Sequence, residues 1–283
     1  MQWEVIHWQG SALQDRIFIS TYEIMETLFS AGSLNLNILF ALCPLIFLAG
    51  FIDSIAGGGG LISLVSYSVF GLPGAYALGT NKFSSISGSV VASANYIRTG
   101  NYHLKSLVPA FLAALAGSTI GSRCALLIDE KVFSIILLAA TPVIGTLVMI
   151  QKEHMEKQAE RGTVATIILS AAVGLLIGFY DGFYGPGAGT FYQLGFIMLV
   201  GISARKACGN ARMVNLASNL GALVTFMMEK RVVYLVAVPC AVFSILGNFI
   251  GSKLAIRKDI KIIKPMMMTV VGLLLVKLST DLF

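Results

Sequence analysis

From residue 34 to the C-terminus, long apolar runs alternate with short polar or glycine-rich interruptions. The runs lie at about 36–52, 61–70, 77–97, 106–127 and 132–150. After a charged stretch they resume at about 163–180, 190–200, 207–228, 232–251 and 262–283. Apolar residues run continuously within them, which predicts helices and excludes the alternating, roughly ten-residue strands of a membrane barrel. A membrane-crossing helix needs about 20 apolar residues. By that measure 36–52 is barely long enough, and 61–70 and 190–200 are too short alone. The expected fold class is all-α: a polytopic membrane protein of two repeats, each with five hydrophobic segments and a Gly-broken hairpin. The expected divisions are 1–33 as an N-terminal extension, 34–150 as the first membrane repeat, 151–162 as a charged linker loop and 163–283 as the second repeat.

The repeat shows in particular residues. Gly50, Phe51, Asp53, Gly57 and Gly59 recur as Gly178, Phe179, Asp181, Gly185 and Gly187, at a constant spacing of 128. From Gly79 onward the spacing becomes 130, matching Gly79 with Gly209, Pro109 with Pro239, Gly117 with Gly247, Gly121 with Gly251 and Asp129 with Asp259. Lys82 falls opposite Arg212 in the same register. A two-residue insertion in the second half accounts for the change. Low-complexity coincidence would not preserve the proline, the glycine pair and the loop aspartate together.

Composition agrees with membrane residence. The chain is 56% hydrophobic and 12% charged, about half the charge of a soluble domain. Residues 1–33 lack the basic start and compact apolar core of a cleaved signal peptide. Their Ile17, Phe18, Ile24, Met25, Leu28 and Phe29 suit one side of an interfacial helix. The formal charge of +6 fits basic loops facing cytoplasm and anionic lipid, and gives no reason to expect nucleic acid. Cys43, Cys124, Cys208 and Cys240 are scattered singly and read as small apolar packing residues. His7, His103 and His154 fall in predicted ends or loops, so neither a metal nor a cofactor is expected.

Basic residues also bear on direction. If the first two segments of each half form a hairpin, each half crosses the membrane an odd number of times and the halves are inverted. Twelve basic residues then lie on one side and six on the other, leaving out Lys82 and Arg212. If each short segment dips in while the preceding helix spans, the repeats are parallel and the count is nine to nine. The positive-inside rule favours inversion, with both termini outside.

The chemistry sits at the breaks. Unwound backbone cannot face lipid unsatisfied; it must be buried in protein or line a watery cavity. Gly-interrupted short segments at matched positions of inverted repeats point to the midplane site of a secondary transporter. Gly57, Gly58, Gly59 and Gly60 precede one short helix, and Gly185, Gly187 and Gly189 surround the other. Helix N-termini there suit an anion; a tight hairpin needed only for packing is the plainer alternative. Lys82 and Arg212, with Asn81 and Asn210 beside them, would complete a polar lining by charge-assisted hydrogen bonds. Their plainer alternative is snorkelling to the interface or bridging the aspartates. Asp53 and Asp181 have three readings: pairing with Lys82 and Arg212, carrying a coupling proton, or capping the break. The GxxxG patterns at Gly117–Gly121 and Gly247–Gly251 read first as packing between the halves and second as a homodimer face.

GFIDSIAGGGG at Gly50–Gly60, GLPG at 71–74, GTNK at Gly79–Lys82 and GFYDGFYGPGAGTF at Gly178–Phe191 resemble the sulfite exporter TauE/SafE family, also called the 4-toluene sulfonate uptake permease family. The resemblance covers about residues 36–283. It implies a multi-pass plasma-membrane protein (inner membrane if bacterial) moving small anions such as sulfite, sulfoacetate and other sulfonates. GNAR at Gly209–Arg212 departs from the more usual Thr-rich version of GTNK, and residues 1–33 have no counterpart. The expected function is alternating-access transport of a small anion in a lipid membrane, with no enzymatic activity. The alternatives are an anion or ion channel and, remotely, an intramembrane aspartyl protease. Against the last, both aspartates lie in GFxD contexts at repeat-equivalent positions rather than in a GxGD motif.

Overall fold

The computed structural model describes residues 36–70, 72, 74–127 and 161–258. The expected segments at 132–150 and 262–283, the N-terminal extension and most of the charged linker lie outside the described residues. Regular structure among the described residues is entirely helical. The first half contributes α1 (Leu36–Ala56), α2 (Gly59–Val69), α3 (Gly74–Arg98) and α4 (Leu104–Leu127). The second contributes α5 (Thr163–Phe183), α6 (Ala188–Gly195), α7 (Ala204–Met228) and α8 (Tyr234–Lys258), with a π-helical turn at Phe196–Val200 continuing α6.

The helices sort by polarity. α1, α4, α5 and α8 are long and apolar enough to cross a membrane. They carry large exposed apolar side chains, among them Leu48, Leu112, Ile168, Leu176, Val238 and Leu246, the surface a lipid environment requires. α3 and α7 hold Asn81, Asn95, Asn210, Asn215 and Asn219 together with Lys82 and Arg212, and bury all of them. Polar side chains are costly against lipid, so these two helices form the middle of the bundle. α2, with 11 residues, rises about 16 Å, roughly half a bilayer core.

Contacts that advance in step give the helix directions. Gly174, Gly178 and Gly182 of α5 lie against Ala110, Ala114 and Ser118 of α4, so α4 and α5 run the same way. Gly247 and Gly251 of α8 lie against Phe47, Phe51 and Ser54 of α1, so α1 and α8 also run the same way. Between α3 and α7 the order reverses: Gly79 meets Phe226, and Gly209 meets Tyr96. α3 runs with α8, since Thr80 bonds Val233 and Asn95 bonds Ser252. α7 runs with α4, since Asn210 bonds Ser106 and Gly221 meets Leu115. α1, α3 and α8 therefore point one way, and α4, α5 and α7 the other. α1 and α5, which share the GFxD motif, are antiparallel.

Each GxxxG pair packs on the first helix of the opposite half: Gly117 and Gly121 on α5, Gly247 and Gly251 on α1. Small residues let two backbones approach where lipid offers no hydrophobic drive. The two-residue insertion also has a physical form. α2 has 11 residues, whereas α6 has 8 and its π-helical continuation 5. The wider π turn absorbs the extra length without breaking the helix.

A Cβ at Gly178 would stand 2.7 Å from both the Cα and the carbonyl oxygen of Ala114. Gly178→Val is expected to destabilise the protein by about 3 kcal/mol, read as a lowered thermal unfolding midpoint in detergent. Gly162→Ala, with open space around the added atom, is expected to leave the midpoint unchanged.

Candidate functional site

α1 ends at Ala56 because Gly57 takes φ +83°, where other residues are strained. α5 ends at Phe183, followed by Gly185 at φ +99° and Gly187 at +79°. The two breaks touch. A Cβ on Gly57 would overlap the backbone of Gly189 and Thr190, and one on Gly189 would stand 2.6 Å from the Gly57 Cα. Glycine is required at this crossing by space as well as by conformation.

The last carbonyls of α1 have no helical partner, and side chains from other elements supply one. Tyr96 Oη donates to Ser54 O at 3.1 Å. Gln193 Nε2 and the Cys208 thiol donate to Ile55 O at 3.1 and 3.3 Å. Thr190 Oγ1 donates to Ala56 O at 2.6 Å. At the other break Tyr180 Oη donates to Pro186 O at 2.7 Å, and Lys82 Nζ donates to Asp181 O at 2.6 Å.

Both intramembrane cations pair across the halves. Lys82 Nζ lies 2.8 Å from Asp181 Oδ1, and Arg212 Nη1 lies 2.7 Å from Asp53 Oδ2. Lys82 also donates to Asn219 Oδ1 at 3.1 Å, so its three hydrogens are all used. Asp181 Oδ2 accepts from Ser218 Oγ, and from Asn215 Nδ2 at 3.4 Å. Arg212 differs. It is fully buried, yet its Nε and Nη2 have no partner among the described residues. Nη2 is wedged against Gly57 and Gly189. A buried guanidinium with unsatisfied N–H groups is costly unless something accepts them.

A cleft of about 310 Å³, its open mouth included, lies between the breaks. It is lined by Asp53, Gly57, Gly60, Asn81, Lys82, Ser85, Asp181, Gly185, Gly189, Asn215 and Asn219. Eight of the residues expected from the sequence are therefore brought together. Gly58 and Gly187 instead precede α2 and α6 as their N-caps, and Gly59 makes room for α1 at Ala49 and Asp53. Asn210 lies elsewhere: its Oδ1 accepts from the backbone N–H of His103, and its Nδ2 donates to His103 O and Ser106 Oγ. That clamp fastens the loop between α3 and α4. Burial, then Lys206 and Lys105, pushes the His103 imidazole below its ordinary pKa. Neither aspartate caps a helix; α2 and α6 start without a side-chain cap, and the carboxylates go to the cations. Sequence reasoning missed Ser218, Tyr96, Thr190 and Gln193, which resemble any other polar residue in an apolar helix. No cluster of metal-ligand type occurs among the described residues.

The sulfite exporter TauE/SafE family model matches residues 42–278. The chain belongs to this family. It is 36% identical over 235 residues to a Sinorhizobium protein named "Probable membrane transporter protein ORF9", covering 83% of this chain and 90% of that protein. It is 33% identical over 259 residues to "Probable membrane transporter protein YfcA" of Escherichia coli strain K12, covering 92% and 95% of the two chains. A Bacillus subtilis relative, "Probable membrane transporter protein YdhB", is 26% identical over 211 residues, or 72% and 83%. No solved structure matches the chain. This TauE/SafE protein is thus a multi-pass membrane transporter and not an enzyme.

Removing one partner of a buried ion pair leaves the other uncompensated, a loss of about 3–5 kcal/mol. Lys82→Met is expected to lower stability on that scale, and Lys82→Met with Asp181→Asn to recover a large part of it. A double-mutant cycle on thermal unfolding measures the coupling.

Proposed function

We propose that this transporter carries a small oxyanion, of the sulfite or sulfonate class, by alternating access through the cleft between the two breaks. The observation that carries the reading is Arg212, fully buried behind the cleft wall at the crossing of the breaks rather than lining the cleft, with Nε and Nη2 unpartnered among the described residues. An oxyanion offers the lone pairs those donors lack, in the planar geometry a guanidinium favours. Asn81 Nδ2, without a partner among the described residues, adds a donor on the cleft wall, and the first N–H groups of α2 add others. Lys82 is a neighbouring positive charge whose hydrogens already hold Asp181 and the end of α5.

Residues 34–150 and 163–283, joined by the linker at 151–162, act in this reading as inverted repeats. The antiparallel course of α1 and α5 and the exchange of packing partners between halves support it. Rocking one half on the other would expose the breaks to each side in turn. The two crosswise ion pairs sit on the joint that such a motion must repack.

Proteoliposome flux of labelled sulfite and a small alkyl sulfonate tests the proposal. Saturable flux is expected, and Arg212→Lys should reduce it about tenfold or more, since lysine keeps the charge at Asp53 but loses the extra donors. Flux unchanged in that variant would remove Arg212 from the site. Non-saturating flux would replace a carrier by a channel.

A further inference from the structure

A second cavity adjoins the cleft on the far side of Asp53. It holds about 250 Å³, its open side included, between α1, α2, α3 and α8. Asp53, Gly60 and Ser85 line both spaces. The rest of its polar wall is Ser63, Ser84, Ser244 and Asn248. None of these belongs to the anion contacts above.

The wall is rich in acceptors. Ser63 turns its hydrogen to Gly59 O at 3.1 Å, Ser84 to Asn81 O at 3.1 Å, and Ser85 to Asn81 Oδ1 at 3.3 Å. The lone pairs of Ser63 and Ser85 remain, whereas Ser84 Oγ accepts from Tyr67 Oη at 2.8 Å and keeps one lone pair. Asn248 Nδ2 donates to Ser244 O at 3.0 Å. A backbone carbonyl can only accept, so this bond sets the amide's orientation. Asn248 Oδ1 is then left buried with no partner among the described residues, in a residue only 2% exposed. Asp53 commits Oδ2 to Arg212 and has no partner for Oδ1 among the described residues. A half-used carboxylate, an orphaned amide oxygen and hydroxyl oxygens form a donor set suited to a cation.

The repeat supplies an internal control. In the 130 register, Ser84, Ser244 and Asn248 correspond to Val214, Ala114 and Ser118. Asp181, the counterpart of Asp53, has both oxygens bonded, to Lys82, Ser218 and Asn215. The oxygen-lined space beside Asp53, built by α1, α2 and α3 with α8, is therefore not reproduced in full at the repeat-equivalent positions.

We infer that this cavity is a site for a monovalent hard cation, sodium, which binds Asp53 and Asn248 and supplies the coupling charge for anion transport. The coupling part rests on the proposed anion site. Lys82 and Arg212 are already balanced by Asp181 and Asp53, so a bound anion would bring an uncompensated charge into the bundle. Sodium beside Asp53 restores neutrality and loosens the carboxylate's hold on Arg212. Oxygen ligands suit a hard cation, and one half-neutralised carboxylate is too little charge to dehydrate a divalent ion. Unwound segments of transporter helices commonly hold such ions.

The test uses the full chain purified in detergent, without anionic substrate, at fixed pH and ionic strength. Sodium chloride is compared with potassium chloride and choline chloride by thermal unfolding and by equilibrium binding of radiolabelled sodium. Sodium is expected to bind saturably and raise the unfolding midpoint. Asn248→Ala and Ser85→Ala should each weaken sodium binding about tenfold or more, while Ser118→Ala keeps it. Identical midpoints in sodium and choline with no label bound would overturn the site. So would an equal effect of potassium, or wild-type sodium binding in both cavity variants. Because no anion is present, such a failure leaves the anion reading standing; loss of anion flux with sodium binding intact is the opposite result.

Discussion

Two stretches of unwound backbone inside an apolar bundle are the constraint on which the rest of this structure depends. Lipid offers no hydrogen bonds, so every carbonyl freed at Ser54, Ile55, Ala56, Asp181 and Pro186 must be satisfied by protein. Tyr96, Cys208, Gln193, Thr190, Lys82 and Tyr180 do so. Each of the six reaches the break from its own position in the chain, and those caps fix where α3, α6 and α7 stand. The polar helices occupy the centre because the breaks need them there.

That requirement also accounts for the small residues. Polar side chains reach the breaks only if the helices carrying them approach closely. Gly79 lies against the Arg231 carbonyl and Gly209 against that of Asn101, again repeat-equivalent positions. The apolar outer helices close in through Gly117, Gly121, Gly247 and Gly251. Packing at glycine seams and hydrogen bonding at the breaks are thus one design.

The two breaks hold matching positions in the sequence, yet their ion pairs are unequal. Lys82 and Asp181 form a saturated pair, with Asn219, Asn215 and Ser218 completing the bonds. Arg212 and Asp53 form a pair with groups to spare on both partners. Arginine in place of lysine adds donors that its single carboxylate contact cannot absorb. The half that carries the GNAR segment is thereby the chemically open one.

Much of this was legible in the sequence. Continuous apolar runs, the two GFxD breaks and the shift in spacing from 128 to 130 mark the helices, the hairpins and the insertion, because burial and chain length act locally. Candidate residues at the breaks could be named from charge in an apolar run. Their partners could not. Which carboxylate meets which cation, that Asn210 clamps a loop, and that Asn248 faces a cavity all depend on residues 99 or more positions apart. The sequence by itself determined membrane residence, duplication and the chemical groups available at the breaks. Only the tertiary structure decided which of those groups are already satisfied and which are free to bind, because hydrogen-bond satisfaction belongs to neighbours in space and not to neighbours along the chain.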